Sequence, residues 1–302
     1  MAAARSLVQL IRARRSVRAY ADEAIPAAAY AELVAACGSL TSGPLGTQCR
    51  IRLVEDVWSV WGTRLFLAGA ARRGPHALED LGRLLEELVL RATGLALGTC
   101  WIVLGFPQRA FAEALALTPE EILPAVIAVG LPSGRQTAYG LAAKLATGAA
   151  RRRPWGELFF DGDFRTPLSE AGGGASGSAG ATTGAGVAGP YALALEMVRL
   201  APSAQNRQPW RVVRTGPAAQ PARGAKPADR PRFHFCRQKP AGLLSSRPDW
   251  LRLDIGIAMA HFELTLAETG VRGRWQAADP APHLRLPRRT KYVASWLPEE
   301  LP

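Results

Sequence analysis

Two arginines and a serine near the start of the chain have the spacing of an anion-binding site. In the segment RARRSVRAY, Arg14, Ser16 and Arg18 alternate where a helix-forming run ends, so their side chains can converge on one point. A guanidinium group offers forked N–H donors that match phosphate oxygens, and a hydroxyl adds another donor. The pattern indicates a phosphate clamp, although a run of arginines is also typical of a solvated helix face.

The segment APSAQNRQPW, residues 201–210, is predicted to form a rigid polar turn. Pro202 and Pro209 restrict the backbone, and Ser203 and Asn206 present a hydroxyl and an amide from it. Such donors and acceptors suit recognition of the edge of a flat heterocycle. The alternative is a turn that only ends a helix, with Trp210 anchoring the strand that follows.

A third segment, GLALGTCWIVLGF, is rich in glycine. Gly94, Gly98 and Gly105 permit close approach of the backbone, and the N–H groups near Leu104 and Gly105 could point at a ligand. The same glycines would equally serve close packing between a helix and a strand.

The elements that must position these segments follow from hydrophobic periodicity. Helices are predicted over residues 5–15, AIPAAAYAELVAACG, HALEDLGRLLEELVLRATG and RAFAEALAL. Strands are predicted over CRIRLVE, ILPAVIAVGLP, PWRVVRT and RFHFCRQ. Helix, strand and loop signals therefore alternate along the chain.

Composition narrows the class of protein. The 302 residues are 48% hydrophobic and 21% charged, which is typical of one large or two ordinary globular domains. The net charge of +12 raises the possibility of nucleic-acid binding, but the basic residues are scattered and no RNA-binding or finger motif accompanies them. The four cysteines and four histidines are dispersed, with no CxxC pair, which favours a reducing compartment. We expect no metal, no nucleic-acid partner and a cytoplasmic location.

Two segments resemble targeting or membrane signals. MAAARSLVQLIRARRSVR is rich in Arg and free of acids, as transit peptides are, but the spacing of Leu7, Leu10 and Ile11 favours an ordinary first helix. LVLRATGLALGTCWIVLGF has the length of a membrane span, yet Arg91 and several Gly and Thr residues interrupt it. We interpret it as a core helix followed by a buried strand, and expect no membrane partner.

The chain contains a faint internal repeat. Residues 80–101 and 254–275 have the same spacing, since both begin Asp-apolar-Gly and both end on Trp. YAELVAACGSL and ALEMVRLAPSA also correspond, with Glu32 and Glu196 aligned. The repeated order indicates two similar halves about a pseudo-two-fold axis, although chance could explain part of the match.

The halves are predicted to comprise residues 1–155 and 156–302, intertwined as one unit. Residues 171–190 and 215–231 have low-complexity compositions with no side chains able to build a core. They are predicted to be flexible insertions in the second half.

Together these segments resemble the nitroreductase-like family of FMN-dependent oxidoreductases. RRSVRAY resembles the family's N-terminal phosphate-binding segment, and APSAQNRQPW resembles its Pro-Ser-x-x-Asn-x-Gln-Pro-Trp flavin turn. GLALGTCWIVLGF resembles its Gly-Leu-Gly-Thr segment, and RRRPWGELFF its Arg-x-Pro segment, whose Arg reaches the FMN phosphate. The resemblance covers most of the chain and implies an α+β fold with central, mostly antiparallel sheets flanked by helices.

The resemblance also implies a cofactor site. The phosphate would be held from the Arg-Ser and Arg-x-Pro segments, the ring would lie against the 202–206 turn, and the Leu104–Gly105 backbone would approach flavin N5 and O4. The full implied set is Arg14, Arg15, Ser16, Arg18, Leu104, Gly105, Arg151, Arg152, Pro202, Ser203, Ala204 and Asn206. Ala204 stands where the family often has a second Ser, and Leu104 where it often has an acid or Gly.

The order of the motifs differs from that of ordinary, homodimeric members, in which the flavin turn closely follows the Arg-Ser segment. Here the corresponding stretch, CGSLTSGPLGTQCRIRLV, lacks the turn pattern, and the intact turn occurs only in the second half. The second half in turn lacks an Arg-Ser-x-Arg segment. This resembles the family's single-chain branch, so we expect a monomer that acts as an internal pseudo-dimer with one flavin site.

The implied activity is transfer of hydride from NAD(P)H through flavin N5 to a nitroaromatic, a quinone or a similar electron-poor small molecule, with ping-pong kinetics. No protein residue is assigned a catalytic role, because the flavin carries out the chemistry. One alternative is an FMN enzyme of another type, namely a dehalogenase, a heterocycle dehydrogenase or a flavin-fragmenting enzyme. Others are a non-catalytic flavin-binding protein and a basic nucleic-acid-binding protein.

Overall fold

The structure is a computed structural model that describes residues 5–134, 142, 145, 148, 151–170, 188–216, 230–240, 249–278 and 284–299. The chain forms two compact units. The first comprises Met1–Arg151, Pro202–Arg207 and Ser245–Ala260, and the second Arg152–Ala201, Gln208–Leu244 and His261–Pro302. Most of both predicted insertions, residues 171–187 and 217–229, lies outside the described residues. The division into sequence halves at residue 155 stays a prediction.

The first unit is built around an antiparallel sheet. In chain order its elements are α1 (Leu7–Ala13), α2 (Ala27–Ser39), β1 (Cys49–Val60), β2 (Thr63–Arg72), α3 (Ala77–Gly94), β3 (Gly98–Ile102), α4 (Gln108–Ala114), β4 (Glu121–Ile122) and β5 (Val126–Gly130). The strand order is β1-β2-β5-β3, with β4 pairing β2 beside this path. All of these pairs are antiparallel.

The sheet of the first unit is covered on both faces. Leu67 and Ile127 point to the side of α2 and α3, where they join the leucine stripe of α3. Phe66 and Val126 alternate with them and point to the side of Phe111 on α4. Strand β5 lies between β2 and β3, so every residue of VIAVG is buried.

The second unit also contains a sheet and helices. Its elements are a 3-10 turn (Trp155–Glu157), β6 (Phe159–Asp161), a 3-10 turn (Gly189–Tyr191), α5 (Ala192–Leu200), β7 (Trp210–Thr215), β8 (Arg232–Gln238), β9 (Gly273–Gln276) and β10 (Thr290–Pro298). The order is β6-β7-β8-β10-β9, in which β6 and β7 are parallel and the other pairs antiparallel. Helix α6 (Leu251–Glu268) belongs to the first unit as far as Ala260 and to the second from His261.

The core of the second unit is aromatic. Phe262 lies 5.1 Å from Phe233, 5.4 Å from Phe235 and 5.5 Å from Trp296, measured between ring centroids. All three of these rings are tilted or edge-on to Phe262, which is the geometry that aromatic pairs prefer. The predicted α+β class with mostly antiparallel sheets is confirmed.

Helices α3 and α6 cross within the first unit at two glycines. A Cβ on Gly82 would overlap the backbone of Leu253, and a Cβ on Gly256 would overlap the backbone of Glu79. Each glycine thus meets the residue three positions before the other, a reciprocal pairing of the kind that a two-fold axis generates. Arg252 closes the crossing with two hydrogen bonds to the Glu79 carboxylate, at 2.7 and 2.6 Å. The repeated Asp-apolar-Gly motif therefore has a structural role in both copies.

Three sequence-based boundaries differ from the structure. Helix α1 ends at Ala13 because Arg14 is extended, with φ −55° and ψ 131°. The single strand predicted over ILPAVIAVGLP is interrupted between β4 and β5, where Pro124 lacks the N–H that a ladder needs. Strand β1 continues to Val60, beyond the predicted CRIRLVE.

The segment of membrane-span length, LVLRATGLALGTCWIVLGF, is the end of α3 followed by β3, as predicted. Among the described residues, no helix has the length and apolar character that a bilayer span needs.

Candidate functional site

The Arg-Ser segment runs beside strand β3. The Val17 N–H donates to the Thr99 carbonyl at 2.9 Å, and Ser16 forms a parallel bridge with Thr99. Gly98 makes this approach possible, because a Cβ there would lie 2.8 Å from Cγ2 of Val17. Arg14, Ser16 and Arg18 alternate along this segment, and their convergence on one anion stays a prediction. Both arginines act electrostatically on Cys100.

Arg14 is a buried cation with unused hydrogen-bonding capacity. It is 8% exposed, and among the described residues its Nε has no hydrogen-bond partner. Burial lowers the pKa of Arg14, while the nearby Glu86 carboxylate opposes that shift. Glu86 itself accepts a hydrogen bond from Trp101 Nε1 at 2.9 Å. Burying an unsatisfied guanidinium is costly, so this position is suited to an incoming anion.

The other two basic residues of the segment have different surroundings. Arg15 is exposed, and its Nη1 donates to the carbonyls of Arg12 at 2.6 Å and Arg14 at 3.0 Å, so it caps the end of α1. Arg18 is half-buried with its guanidinium carbon 5.8 Å from the centre of the Trp61 ring. At that distance the ring can stabilise the charge.

The turn formed by residues 202–208 has a strained backbone. Gln205, Asn206 and Gln208 have φ values of 52°, 54° and 46°, in the left-handed region that favours glycine. Ala204–Asn206 form a single 3-10 turn, and Ser203 before it makes no side-chain capping bond. Strain of this kind costs of order 1 kcal/mol per residue and persists only where surrounding contacts impose it.

Asp254 of α6 supplies one such contact. Its Oδ1 accepts a hydrogen bond from the Ala204 N–H at 2.9 Å. The carboxyl group is 3% exposed, and no described residue donates to its Oδ2. Burial raises the pKa of Asp254 to about 7. The sequence identified Asp254 only as the start of a repeat, so its contact with the turn was missed.

Asn206 connects the turn to the Arg-x-Pro segment. Its Nδ2 donates to the carbonyls of Gly148 at 2.7 Å and Arg151 at 2.9 Å. The amide thus holds the backbone next to Arg151, whose own side chain is exposed. Arg152 belongs to the second unit, where its Nη2 donates to the Leu200 carbonyl at 3.2 Å. Its assignment to a phosphate stays a sequence-based prediction.

Leu104 and Gly105 follow the end of β3. Gly105 has φ 77°, so the chain reverses there in a conformation that strains other residues. Leu104 is 47% exposed, which leaves a large apolar side chain at the surface of the first unit. A planar apolar ligand could contact it there.

The described residues offer no metal centre, and three of the four cysteines have raised thiol pKa values. They contain no group of three or more His, Cys, Asp or Glu residues placed to hold a metal ion. Burial raises the pKa of Cys37 and Cys100 to about 11 and that of Cys49 to about 12, so these thiols are protonated at neutral pH.

The site residues thus form two groups within the first unit. Arg14, Ser16 and Arg18 lie along β3, and Leu104 and Gly105 follow the same strand. Ala204, Asn206 and Arg151 are joined around the strained turn. Pro202 and Ser203 are half-buried at its start. One group therefore offers cationic donors, and the other a rigid polar edge.

A solved structure shares this fold. It is the crystal structure of a putative nitroreductase from Thermotoga maritima, which matches 98% of this chain and 95% of its own with a TM-score of 0.56 and 17% identity. A nitroreductase from Bacteroides fragilis with bound FMN matches 44% of this chain and 92% of its own, with 19% identity and a TM-score of 0.37. A putative nitroreductase from Desulfovibrio desulfuricans in complex with FMN matches 45% of this chain and 95% of its own, with 25% identity and a TM-score of 0.34.

The comparison with curated proteins found no match. Among protein families, the one described as "Putative TM nitroreductase" matches residues 6–163, just over half of the 302 residues. The matched range contains the Arg-Ser segment, β3 with Leu104 and Gly105, and the Arg-x-Pro segment. The chain belongs to this nitroreductase family.

Proposed function

We propose that this protein is an FMN-dependent oxidoreductase that passes hydride from NAD(P)H to an electron-poor small molecule such as a nitroaromatic or a quinone. The observation that carries the proposal is the buried Arg14 guanidinium, whose Nε has no described hydrogen-bond partner, within the segment that resembles the family's phosphate clamp. Membership of the nitroreductase family supports the same assignment.

The phosphate of FMN would be held by the residues along β3. Arg14 would offer its Nε, Arg18 its guanidinium beside Trp61, and Ser16 its hydroxyl. A charge-assisted hydrogen bond contributes more than a neutral one, and most of all where water is excluded. Arg14 is the group with the most to gain, because it is already desolvated.

The flat ring would lie against the strained turn. Pro202, Ser203, Ala204 and Asn206 hold one fixed conformation through the bonds of the turn to Asp254, Gly148 and Arg151. The Leu104–Gly105 backbone would approach the opposite edge of the ring, with the apolar Leu104 side chain covering one face. The Ala204 N–H and the Asn206 Nδ2 are engaged in those bonds, so the backbone N–H groups near Leu104 and Gly105 would be the donors that stabilise negative charge on the ring.

When bound, FMN would supply the hydride chemistry through its N5 atom, in two half-reactions at one site. The protein would contribute binding, orientation and electrostatics, as is general for cofactor enzymes. We therefore propose that no protein residue acts as an acid, a base or a nucleophile in the reaction.

We also infer that one chain carries both copies of the repeat and acts as a monomeric pseudo-dimer in the cytoplasm. The reciprocal contacts of Gly82 and Gly256 support the two-fold relation of the repeats. The four free, buried cysteines suit a reducing compartment. A molar mass near 32.3 kDa in solution would agree with a monomer, whereas twice that value would contradict it.

The deciding experiment is the visible absorption spectrum of the purified protein, reconstituted with FMN, before and after addition of NADH or NADPH. We expect a bound flavin spectrum that bleaches with the nicotinamide and returns with a nitroaromatic or a quinone. A bound flavin that does not bleach would favour a non-catalytic flavin-binding protein. Reoxidation only by a halogenated compound or by oxygen would favour another type of FMN enzyme, and the absence of flavin binding would overturn the proposal.

A further inference from the structure

We propose that Asp254 is a positioning residue that fixes the 202–208 turn in the conformation that FMN binding requires. The inference rests on the proposed function, and it adds a residue that lies outside the segments resembling the family's flavin-binding motifs. Asp254 acts through the backbone of Ala204, so it is distinct from the residues that would touch the ring.

The turn needs an external support because it has little support of its own. The first N–H groups of any helical turn lack partners inside that turn. A side chain at the preceding position often satisfies them, but Ser203 makes no such bond here. The Asp254 carboxylate occupies that role from a different element, fifty positions along the chain, and bonds the Ala204 N–H at 2.9 Å.

The support matters because three residues of the turn are in the left-handed region. Gln205, Asn206 and Gln208 all have positive φ, and each would relax if the preceding backbone were released. Loss of the Ala204 bond would therefore let the turn change shape, and Asn206 with its bonds to Gly148 and Arg151 would move with it. The shape of the polar edge would therefore depend on the Asp254 bond together with the two bonds of Asn206.

The burial of Asp254 is costly in a way that packing alone does not explain. Among the described residues only the Ala204 N–H bonds the carboxyl group, while Oδ2 is buried without a donor. A carboxyl group buried with a single donor keeps part of its desolvation cost, because one hydrogen bond does not replace the water that two oxygens lose. Retention of an acid there favours a role in holding the turn over a role in stabilising the core.

The equivalent residue of the other repeat provides a matched control. Asp80 is also fully buried, and it accepts bonds from the N–H groups of Leu45 at 2.8 Å and Thr47 at 2.9 Å. It supports a turn that lacks the Pro-Ser-x-x-Asn pattern. If Asp254 acts only on general stability, the two aspartates should behave alike.

The test compares Asp254→Ala, Asp254→Asn and Asp80→Ala by three measurements. The first is FMN affinity from quenching of flavin fluorescence, the second is hydrogen exchange of peptides covering residues 201–209, and the third is thermal unfolding. We expect Asp254→Ala to weaken FMN binding at least tenfold and to speed exchange at 201–209. Asp254→Asn keeps a carbonyl acceptor for Ala204, so its affinity should stay within threefold of wild type.

Asp80→Ala should speed exchange around residues 43–47 and lower the melting temperature, with FMN affinity within threefold of wild type. Should Asp254→Ala not fold, Asp254→Val fills the space of the carboxyl group without providing an acceptor, and the same losses are expected. Equal loss of FMN affinity in Asp80→Ala and Asp254→Ala, or no rescue by Asp254→Asn, would overturn the positioning role. Wild-type protein that binds no FMN would overturn the proposed function, whereas unchanged exchange at 201–209 in Asp254→Ala would overturn the positioning role alone.

Discussion

Two turns of this molecule have the same support and different conformations. The 43–47 turn is held by Asp80 near the start of α3, and the 202–208 turn by Asp254 near the start of α6. Each aspartate lies two residues before a glycine at the crossing of the two helices. Repetition of the sequence has thus reproduced the anchor of each turn.

The conformations of the two turns differ in backbone strain. In the 43–47 turn the left-handed position is Gly46, with φ 93°, and both oxygens of Asp80 accept hydrogen bonds. In the 202–208 turn three residues with side chains take left-handed conformations. Strain retained together with polar side chains is typical of binding sites, whereas a relaxed glycine turn needs only to connect two elements. The difference supports assignment of the ligand to the 202–208 turn alone.

The strongest way to disturb both turns together is to alter the helix crossing. Gly256→Ala places a Cβ against the backbone of Glu79, so we expect a loss of about 3 kcal/mol or more in the free energy of unfolding. Chemical denaturation measures it. Gly38→Ala in α2 is the control, because its Cβ would meet nothing within 4 Å and should stabilise that helix by roughly 0.5–1 kcal/mol. Equal effects of the two substitutions would contradict the close crossing.

The pH dependence of stability should report on the protonation of the Asp254 anchor. The pKa of Asp254 is raised from 3.8 to about 7 by burial, so the folded protein holds a proton between these values that the unfolded chain has lost. The contribution of Asp254 to the free energy of unfolding therefore falls by roughly a few kcal/mol as pH rises from about 4 to 7, and it is constant above that window. Denaturation of wild type and Asp254→Asn across pH 4–8 should show this slope only in the wild type. An identical slope in the variant would contradict the raised pKa.

The phosphate clamp can be tested separately from the turn. Arg14→Ala removes a buried charged donor, which should weaken FMN binding by roughly 1.5–3 kcal/mol, or about 10- to 150-fold. Fluorescence titration with FMN measures the change. Arg12→Ala is the matched control, since Arg12 is exposed on α1 and should leave the affinity unchanged. Unchanged affinity in Arg14→Ala would remove Arg14 from the site.

The smallest expected effects come from the left-handed residues themselves. Gln205→Gly relieves a positive φ and should change stability favourably by up to about 1 kcal/mol, while Gly46→Ala introduces strain of about 1–2 kcal/mol into the other turn. Thermal unfolding should therefore shift in opposite directions. A shift of the same sign in both variants would show that the two turns do not differ in strain.

Much of the fold is readable from local sequence. The leucine spacing of α3 and the apolar run of β5 predicted their elements, because those patterns bury one face of a helix or both faces of a strand. The helix predicted over residues 5–15 was less accurate at its end, because Arg14 is already extended. Local sequence was sufficient to predict an element where its residues share one environment, as on the buried face of a helix or in a buried strand.

The contacts that complete the candidate site were not readable in this way. The bonds of Ala204 to Asp254 and of Asn206 to Arg151 join residues about fifty positions apart, and no local pattern specifies such a pair. The left-handed conformations of Gln205 and Gln208 also contradict the usual preference of glutamine, and no local pattern predicts them. Sequence therefore located the turn, and tertiary structure determined its shape.

The reciprocal contact of Gly82 and Gly256 has a consequence for how this protein can change. In an assembly of identical subunits, every substitution at a symmetric interface is introduced twice, and both sides must tolerate it. Here the two glycines are separate positions of one polypeptide, so a substitution at either one places a single Cβ in the crossing. A mutation in the Asp-apolar-Gly motif of one helix therefore leaves the motif of the other helix unaltered.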